Sequence, residues 1–138
     1  MWDPHQTCLR SKLESIQRRA VRYTCHNYNQ TASVTNMQNT LKWLSLEDRR
    51  EMHKLIMMYK IVNSMVALDI SNFAKHAHRA TRANKDSNFI QISTSTSYHQ
   101  ASYFPSTITK WNSLSENTKR SKTIDQFKQQ LYQTYQPN

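Results

Sequence analysis

The chain contains no glycine. Average usage of roughly 7% would place about ten glycines in a chain of this length. Glycine-rich loops that cradle phosphates therefore cannot form, and neither can the Gly-x-Ser-x-Gly turn of many serine hydrolases. These absences exclude the commonest nucleotide-binding motifs and one large class of nucleophilic enzymes.

Cysteine is scarce, with only Cys8 and Cys25 present. They stand seventeen positions apart, whereas zinc sites pair Cys or His residues roughly two to five positions apart. We therefore expect no metal and no cofactor, and thiols that remain free as in intracellular proteins.

Long apolar runs are also missing. No stretch approaches the ~20 apolar residues that a membrane span requires, and the N-terminal segment is polar. We expect no membrane partner and an intracellular location, in the nucleus or the cytoplasm.

Acidic residues number nine against nineteen lysines and arginines, so the net charge is +10 and the pI about 9.9. Such an excess favours a polyanionic partner, nucleic acid ahead of an acidic membrane surface. The alternative is a basic region whose charge only aids solubility.

The residues that are present indicate a folded, mainly α domain. Fourteen aromatic residues (three Trp, seven Tyr and four Phe) are more than disordered chains usually carry. Residues 1–138 fit a single domain or domain fragment. We expect it to be small and irregular, helical over 7–66, loop-rich over 69–100 and with short helices over 106–133, with at most a short β element.

Apolar spacing predicts the helices. A first helix over Thr7–Thr24 carries one apolar stripe, with arginines mostly off that stripe. A second, over about 34–42, is capped by Ser33 or Thr35. A long, central helix starts at the capping-box pattern Ser45–Asp48. The stripe residues of the first helix are Leu9, Leu13, Ile16 and Ala20.

No constellation of catalytic residues is visible. Carboxylates that share metal ions must converge within about 4 Å. Asp3, Glu14, Glu47, Asp48 and Glu51 fall on predicted helices or their ends, where caps and surface pairs are their ordinary role. We expect no enzymatic activity.

Clusters of cations are the candidate site. Arg18, Arg19 and Arg22 form a ridge that can grip phosphates, although such a run is often only a solvated helix face. Residues 119–122 form a smaller cluster of three cations, Lys119, Arg120 and Lys122. The mid-chain loop adds Lys75, Arg79, Arg82 and Lys85 with no acid between Lys75 and Lys85.

Aromatic residues near the loop permit two interpretations. Tyr98, Tyr103 and Phe104 can stack on unpaired bases. They can equally fill the core, as buried aromatics normally do.

An ordered set of short motifs resembles the region just downstream of the reverse-transcriptase domain in jockey-like non-LTR (LINE-type) retrotransposon proteins. The resemblance covers nearly the whole chain and rests on the set rather than on any one motif. The motifs are Trp2-Asp3-Pro4-His5, Leu13 to Arg22, Ser33-Val34-Thr35, Leu41-Lys42-Trp43, Leu46 to Arg50, Met58 to Asn63, Arg79 to Arg82, Ser102 to Pro105, Trp111 to Leu114 and Phe127 to Leu131.

The resemblance implies a non-catalytic, thumb-adjacent helical extension of an RNA-directed DNA polymerase, which holds RNA or DNA and contacts the upstream reverse-transcriptase domain. The polymerase motifs would lie upstream, and Met1 suggests a truncated copy. Three positions depart from the family pattern: Lys42 replaces a glycine, Ser106 an arginine and Ser115 a proline. Lys42 must therefore accept whatever backbone angle that glycine supplied.

The alternative is a purely structural extension that packs against the polymerase thumb and does nothing as an isolated fragment. An exposed apolar face on the first helix would favour this reading, because such a face lacks its partner.

Overall fold

The computed structural model of the chain describes residues 3–77 and 87–135. Within them the fold is mainly α, as predicted, and the one β feature there is an isolated antiparallel bridge between His76 and Phe89. A 3-10 turn covers Ile70–Asn72. The α-helices of these residues are α1 (Thr7–Thr24), α2 (Val34–Thr40), α3 (Leu46–Val62), α4 (Ser97–Gln100), α5 (Tyr103–Ser113), α6 (Glu116–Lys119) and α7 (Ile124–Tyr135).

The chain forms two compact units. The first comprises Met1–Arg50 together with Gln133–Asn138, and the second comprises Glu51–Tyr132. Each unit has its own buried side chains.

In the first unit, α1 turns a different side inward from the predicted stripe. Gln17 and Val21 are buried, and the Gln17 amide donates a 2.7 Å hydrogen bond to the Leu44 carbonyl. Leu9 and Ile16 are 41% and 61% exposed. On a helix with about 100° per residue, Gln17 and Val21 lie roughly 100–140° from Ile16, so most of the apolar stripe of α1 lies beside the buried side and not on it.

Motif residues that are distant in sequence meet in this unit. The Arg50 guanidinium, which is buried, donates to the Asp3 carboxylate at 3.1 Å. The Arg10 side chain donates to the Glu47 carboxylate at 2.8 Å. The Glu14 carboxylate accepts the Glu47 backbone N–H at 3.0 Å and so satisfies a free donor at the start of α3.

The predicted helix starts are confirmed. The Ser33 hydroxyl accepts the Asn36 N–H, and the Ser45 hydroxyl accepts the Asp48 N–H at 3.0 Å. In a full capping box, the side chain three residues after the cap bonds to the backbone N–H of the cap residue. Here the Asp48 carboxylate instead accepts the Ser45 hydroxyl proton.

Three helices end in a left-handed residue without glycine. His26, Lys42 and Ser64 have φ of 48°, 54° and 54° and directly follow the C-caps of α1, α2 and α3. At each end two backbone N–H groups bond to carbonyls of the last turn, as in the Schellman motif. Lys42 therefore adopts the backbone angle for which glycine is the usual residue.

The second unit is organised around the C-terminal part of α3. The rings of Tyr59 and Phe127 stack with their centroids 4.4 Å apart, and the Tyr59 hydroxyl donates to the Ser121 carbonyl at 2.6 Å. The C-terminal part of α3 therefore lies in the core of this unit. The largest fully buried side chains of this unit are Leu55, Met58, Tyr59, Ile108, Trp111, Phe127 and Leu131.

Candidate nucleic-acid interface

Four cations share one face of α1. Lys12, Arg18, Arg19 and Arg22 fall within an arc of about 120° when each residue advances about 100° around the helix. Glu14, the only acid in α1, lies outside that arc. We call these four residues the α1 cationic face.

The four cations of this face form no ion pair with an acidic side chain among residues 3–77 and 87–135. Arg18 and Arg19 are exposed. Arg22 is half-buried, and its guanidinium donates to the Asn29 carbonyl at 2.7 Å. The face can therefore offer its charge to an external anion.

An open pocket of about 240 Å³ borders this face. Its wall includes Arg10 and Arg18 but also Glu14 and Glu47, and Arg10 is already paired with Glu47. The opposite charges cancel within the pocket, so we assign the anion contact to the cationic face and not to the pocket.

The second predicted cluster is only partly described. Lys75 is exposed, and its carbonyl accepts the Ile90 N–H at 2.8 Å. The Ala77 N–H donates to the Asn88 carbonyl at 3.0 Å. Backbone hydrogen bonds therefore join the segment before residues 78–86 to the segment after them. Arg79, Arg82 and Lys85 lie outside the described residues, and their predicted role stays a prediction.

The third cluster does not form a cationic surface. Lys119 is buried, with its ammonium 2.6 Å from the Asn88 amide oxygen and 3.4 Å from the Glu116 carboxylate. The Arg120 side chain also pairs with Glu116, at 3.5 Å. Glu116, three and four positions upstream of these cations, is the sequence signal for this pairing.

The aromatic candidates separate into half-buried and exposed rings. The Tyr103 hydroxyl donates to the Lys54 carbonyl at 3.0 Å, and burial raises the pKa of Tyr103 to about 12. Phe104 stacks against Phe73 at a centroid distance of 4.6 Å. Phe73 is 46% exposed and Tyr98 is 60% exposed, whereas Tyr103 and Phe104 are half-buried. The rings of Phe73 and Tyr98 are therefore more accessible to a base than that of Tyr103.

Within the described ranges there is no group of three or more His, Cys, Asp or Glu side chains placed to hold a metal ion. In that same part of the chain, no helix combines the length and the apolar character of a membrane span.

Comparisons of the chain with protein-family models, with curated proteins and with solved structures find no match.

Proposed function

We propose that this chain is a non-catalytic nucleic-acid-binding region that holds an RNA or DNA backbone electrostatically. The observation that carries the proposal is the α1 cationic face, four cations on one side of one helix with no acid among them and no ion pair to a described residue. Lys75, Arg79, Arg82 and Lys85 would extend the contact from the mid-chain loop.

The mode of binding follows from the side chains. Guanidinium groups contact phosphate oxygens with two parallel hydrogen bonds. Arg18 and Arg22 are one helical turn apart, so they can reach neighbouring phosphates while Arg19 contacts the backbone beside them. Contacts of this kind carry no base information, which predicts low sequence specificity.

We further propose that the region derives from the part of a retroelement reverse transcriptase that follows the polymerase domain. The motif set supports this origin, and so does Lys42, whose φ of 54° is the angle expected where the family has glycine. Bond-making chemistry would then belong to the upstream part of the parent protein.

A purely structural packing role is the second candidate, and a specific observation favours it. Leu9, Ile16 and Tyr23 on α1 are 41%, 61% and 70% exposed. Exposed apolar side chains aligned on one helix are typical of a surface that another element covers.

The test measures binding of the full chain to labelled single-stranded RNA and duplex DNA across a salt series. The four phosphate contacts of the α1 cationic face should contribute about −3.6 on duplex and −2.8 on single strands to the slope of log K against log salt. The triple substitution Arg18→Gln, Arg19→Gln and Arg22→Gln should flatten the slope by about 2 to 3.

A control with the same charge change uses exposed cations away from α1: Arg49→Gln, Lys122→Gln and Lys128→Gln. This control should retain most of the slope. Absence of binding at low salt would refute the proposal, and equal losses in the two triple variants would refute the assignment to α1.

A further inference from the structure

The exposed apolar residues of α1 follow a heptad pattern. Leu9, Leu13, Ile16, Ala20 and Tyr23 are separated by steps of four, three, four and three. These are the steps between successive a and d positions, which place side chains along the seam of a coiled coil. We call these five residues the α1 seam. Two heptads from Leu9 to Tyr23 cover roughly 21 Å of helix.

The seam is open over most of its length. Leu9, Ile16 and Tyr23 are 41%, 61% and 70% exposed, Ala20 is exposed, and only Leu13 is half-buried. Gln17 and Val21, which are buried, occupy the adjacent side of the helix. The seam therefore lies next to the packed side of α1 and is not part of it.

The two edges of the seam differ in charge. Lys12 and Arg19 flank it on the side opposite Gln17, and no described acid pairs with either cation. In a two-stranded coiled coil, residues at these flanking positions meet the partner helix and select its charge. A helix that covered the seam would therefore gain two ion pairs if it carried acids along this edge.

A second copy of this chain does not meet that requirement. In an antiparallel pair Lys12 would face Arg19 of the other copy, so like charges would meet. In a parallel pair Lys12 would face Gln17, which is buried, and Arg19 would face Thr24. Neither arrangement supplies an acid to the cationic edge.

We propose that the α1 seam docks an amphipathic helix of a protein partner, with apolar side chains at heptad positions and Asp or Glu along the edge that meets Lys12 and Arg19. This inference rests on the packing role, the second candidate above, and it uses two side chains, Lys12 and Arg19, that also belong to the α1 cationic face.

The test uses the full chain and two synthetic helical peptides of about three heptads. Both peptides carry leucine at a and d, and they differ only in having Glu or Lys at e and g. Binding is measured by fluorescence anisotropy at about 0.1 M salt. The Glu peptide should bind about tenfold more tightly than the Lys peptide.

Two variants locate the contact. Ile16→Ser should weaken binding of the Glu peptide about tenfold, whereas Met65→Ser, at an exposed methionine outside α1, should leave it unchanged. The double charge reversal Lys12→Glu and Arg19→Glu should invert the preference and favour the Lys peptide. This second variant changes only cations at the seam edge, so it tests the proposal even if Ile16→Ser perturbs the fold.

Several results would overturn the inference. Equal affinity for the two peptides would remove the role of the cationic edge. A dimer that Ile16→Ser dissociates would assign the seam to a second copy. Binding to phosphatidylserine vesicles without binding to either peptide would assign it to a membrane surface.

The two proposals fail separately in this design. Ile16→Ser leaves the charge unchanged, so it should not alter the salt dependence of RNA binding. Peptide docking without RNA binding would refute nucleic-acid binding alone, and RNA binding without selective peptide docking would refute the docking inference alone.

Discussion

The side chain of Asn112 satisfies both backbone polar groups of Phe89. Its amide oxygen accepts the Phe89 N–H at 3.0 Å, and its amide nitrogen donates to the Phe89 carbonyl at 2.8 Å. The Trp111 indole adds a bond to the Ser87 carbonyl at 3.1 Å. Trp111 and Asn112 of α5 thus hold the segment that follows residues 78–86. These hydrogen bonds explain why the polar Asn112 stands beside the buried Trp111.

Replacing Asn112 by alanine should lower the free energy of unfolding by about 2 kcal/mol, because two hydrogen bonds are lost and the Phe89 N–H and carbonyl are left unsatisfied. Urea unfolding of the two proteins measures the difference. Asn117→Ala, at an exposed position on α6, is the control and should stay within about 0.5 kcal/mol of the parent. Equal effects of the two substitutions would contradict the role of Asn112.

Replacing Ser64 by glycine should stabilise the chain by about 1 kcal/mol, because a side chain at a φ of 54° is strained and glycine is not. Thermal and urea unfolding both report the change. Ser64→Ala removes the hydroxyl while keeping the Cβ atom, so it should not stabilise. If alanine stabilised as much as glycine, backbone strain would not be the cause.

Replacing Lys119 by methionine should destabilise the second unit by about 2 to 3 kcal/mol. The Lys119 side chain is buried, and its removal leaves the buried Asn88 amide oxygen without the donor that lies 2.6 Å away. Lys122→Met is the matched control, since Lys122 is exposed. If Lys119→Met left the free energy of unfolding unchanged, the buried Lys119 ammonium would not contribute to the stability of this unit.

Stability should fall as pH rises from about 10 to 12, in part because of Tyr103. Burial raises its pKa to about 12 from the ordinary value of 10.0, so between these values the unfolded chain loses the Tyr103 proton and the folded chain keeps it. The favourable contribution is complete below pH 10 and is lost above the folded pKa. Urea midpoints across this range should decline less steeply for Tyr103→Phe than for the parent, and parallel declines would contradict the assignment.

Local spacing was enough to predict most of the helices. The first helix was predicted at Thr7–Thr24 and lies there, because its signals are local: periodic apolar residues and a polar stretch after Thr24. The caps at Ser33 and Ser45 are predictable for the same reason, since a serine just before a helix holds its hydroxyl within reach of the N–H three residues later. The ridge Arg18, Arg19 and Arg22 was also visible, because helical geometry alone places these side chains together.

Long-range contacts decided the rest. No local pattern indicates that Gln17 turns inward while Ile16 stays exposed, because that choice depends on a hydrogen bond to Leu44, twenty-seven residues away. The same holds for Lys119, which belonged to a cationic cluster by sequence and is buried by contacts with Asn88 and Glu116.

The order of residues along this chain settles its mainly α character, its positive charge and the position of its principal helices, since each depends on neighbours within one or two turns. The tertiary structure settles which side of α1 is covered, which cations stay free of acidic partners and which aromatic rings remain exposed. Those properties depend on side chains distant in sequence competing for the same buried space, and a periodicity along one helix carries no information about that competition.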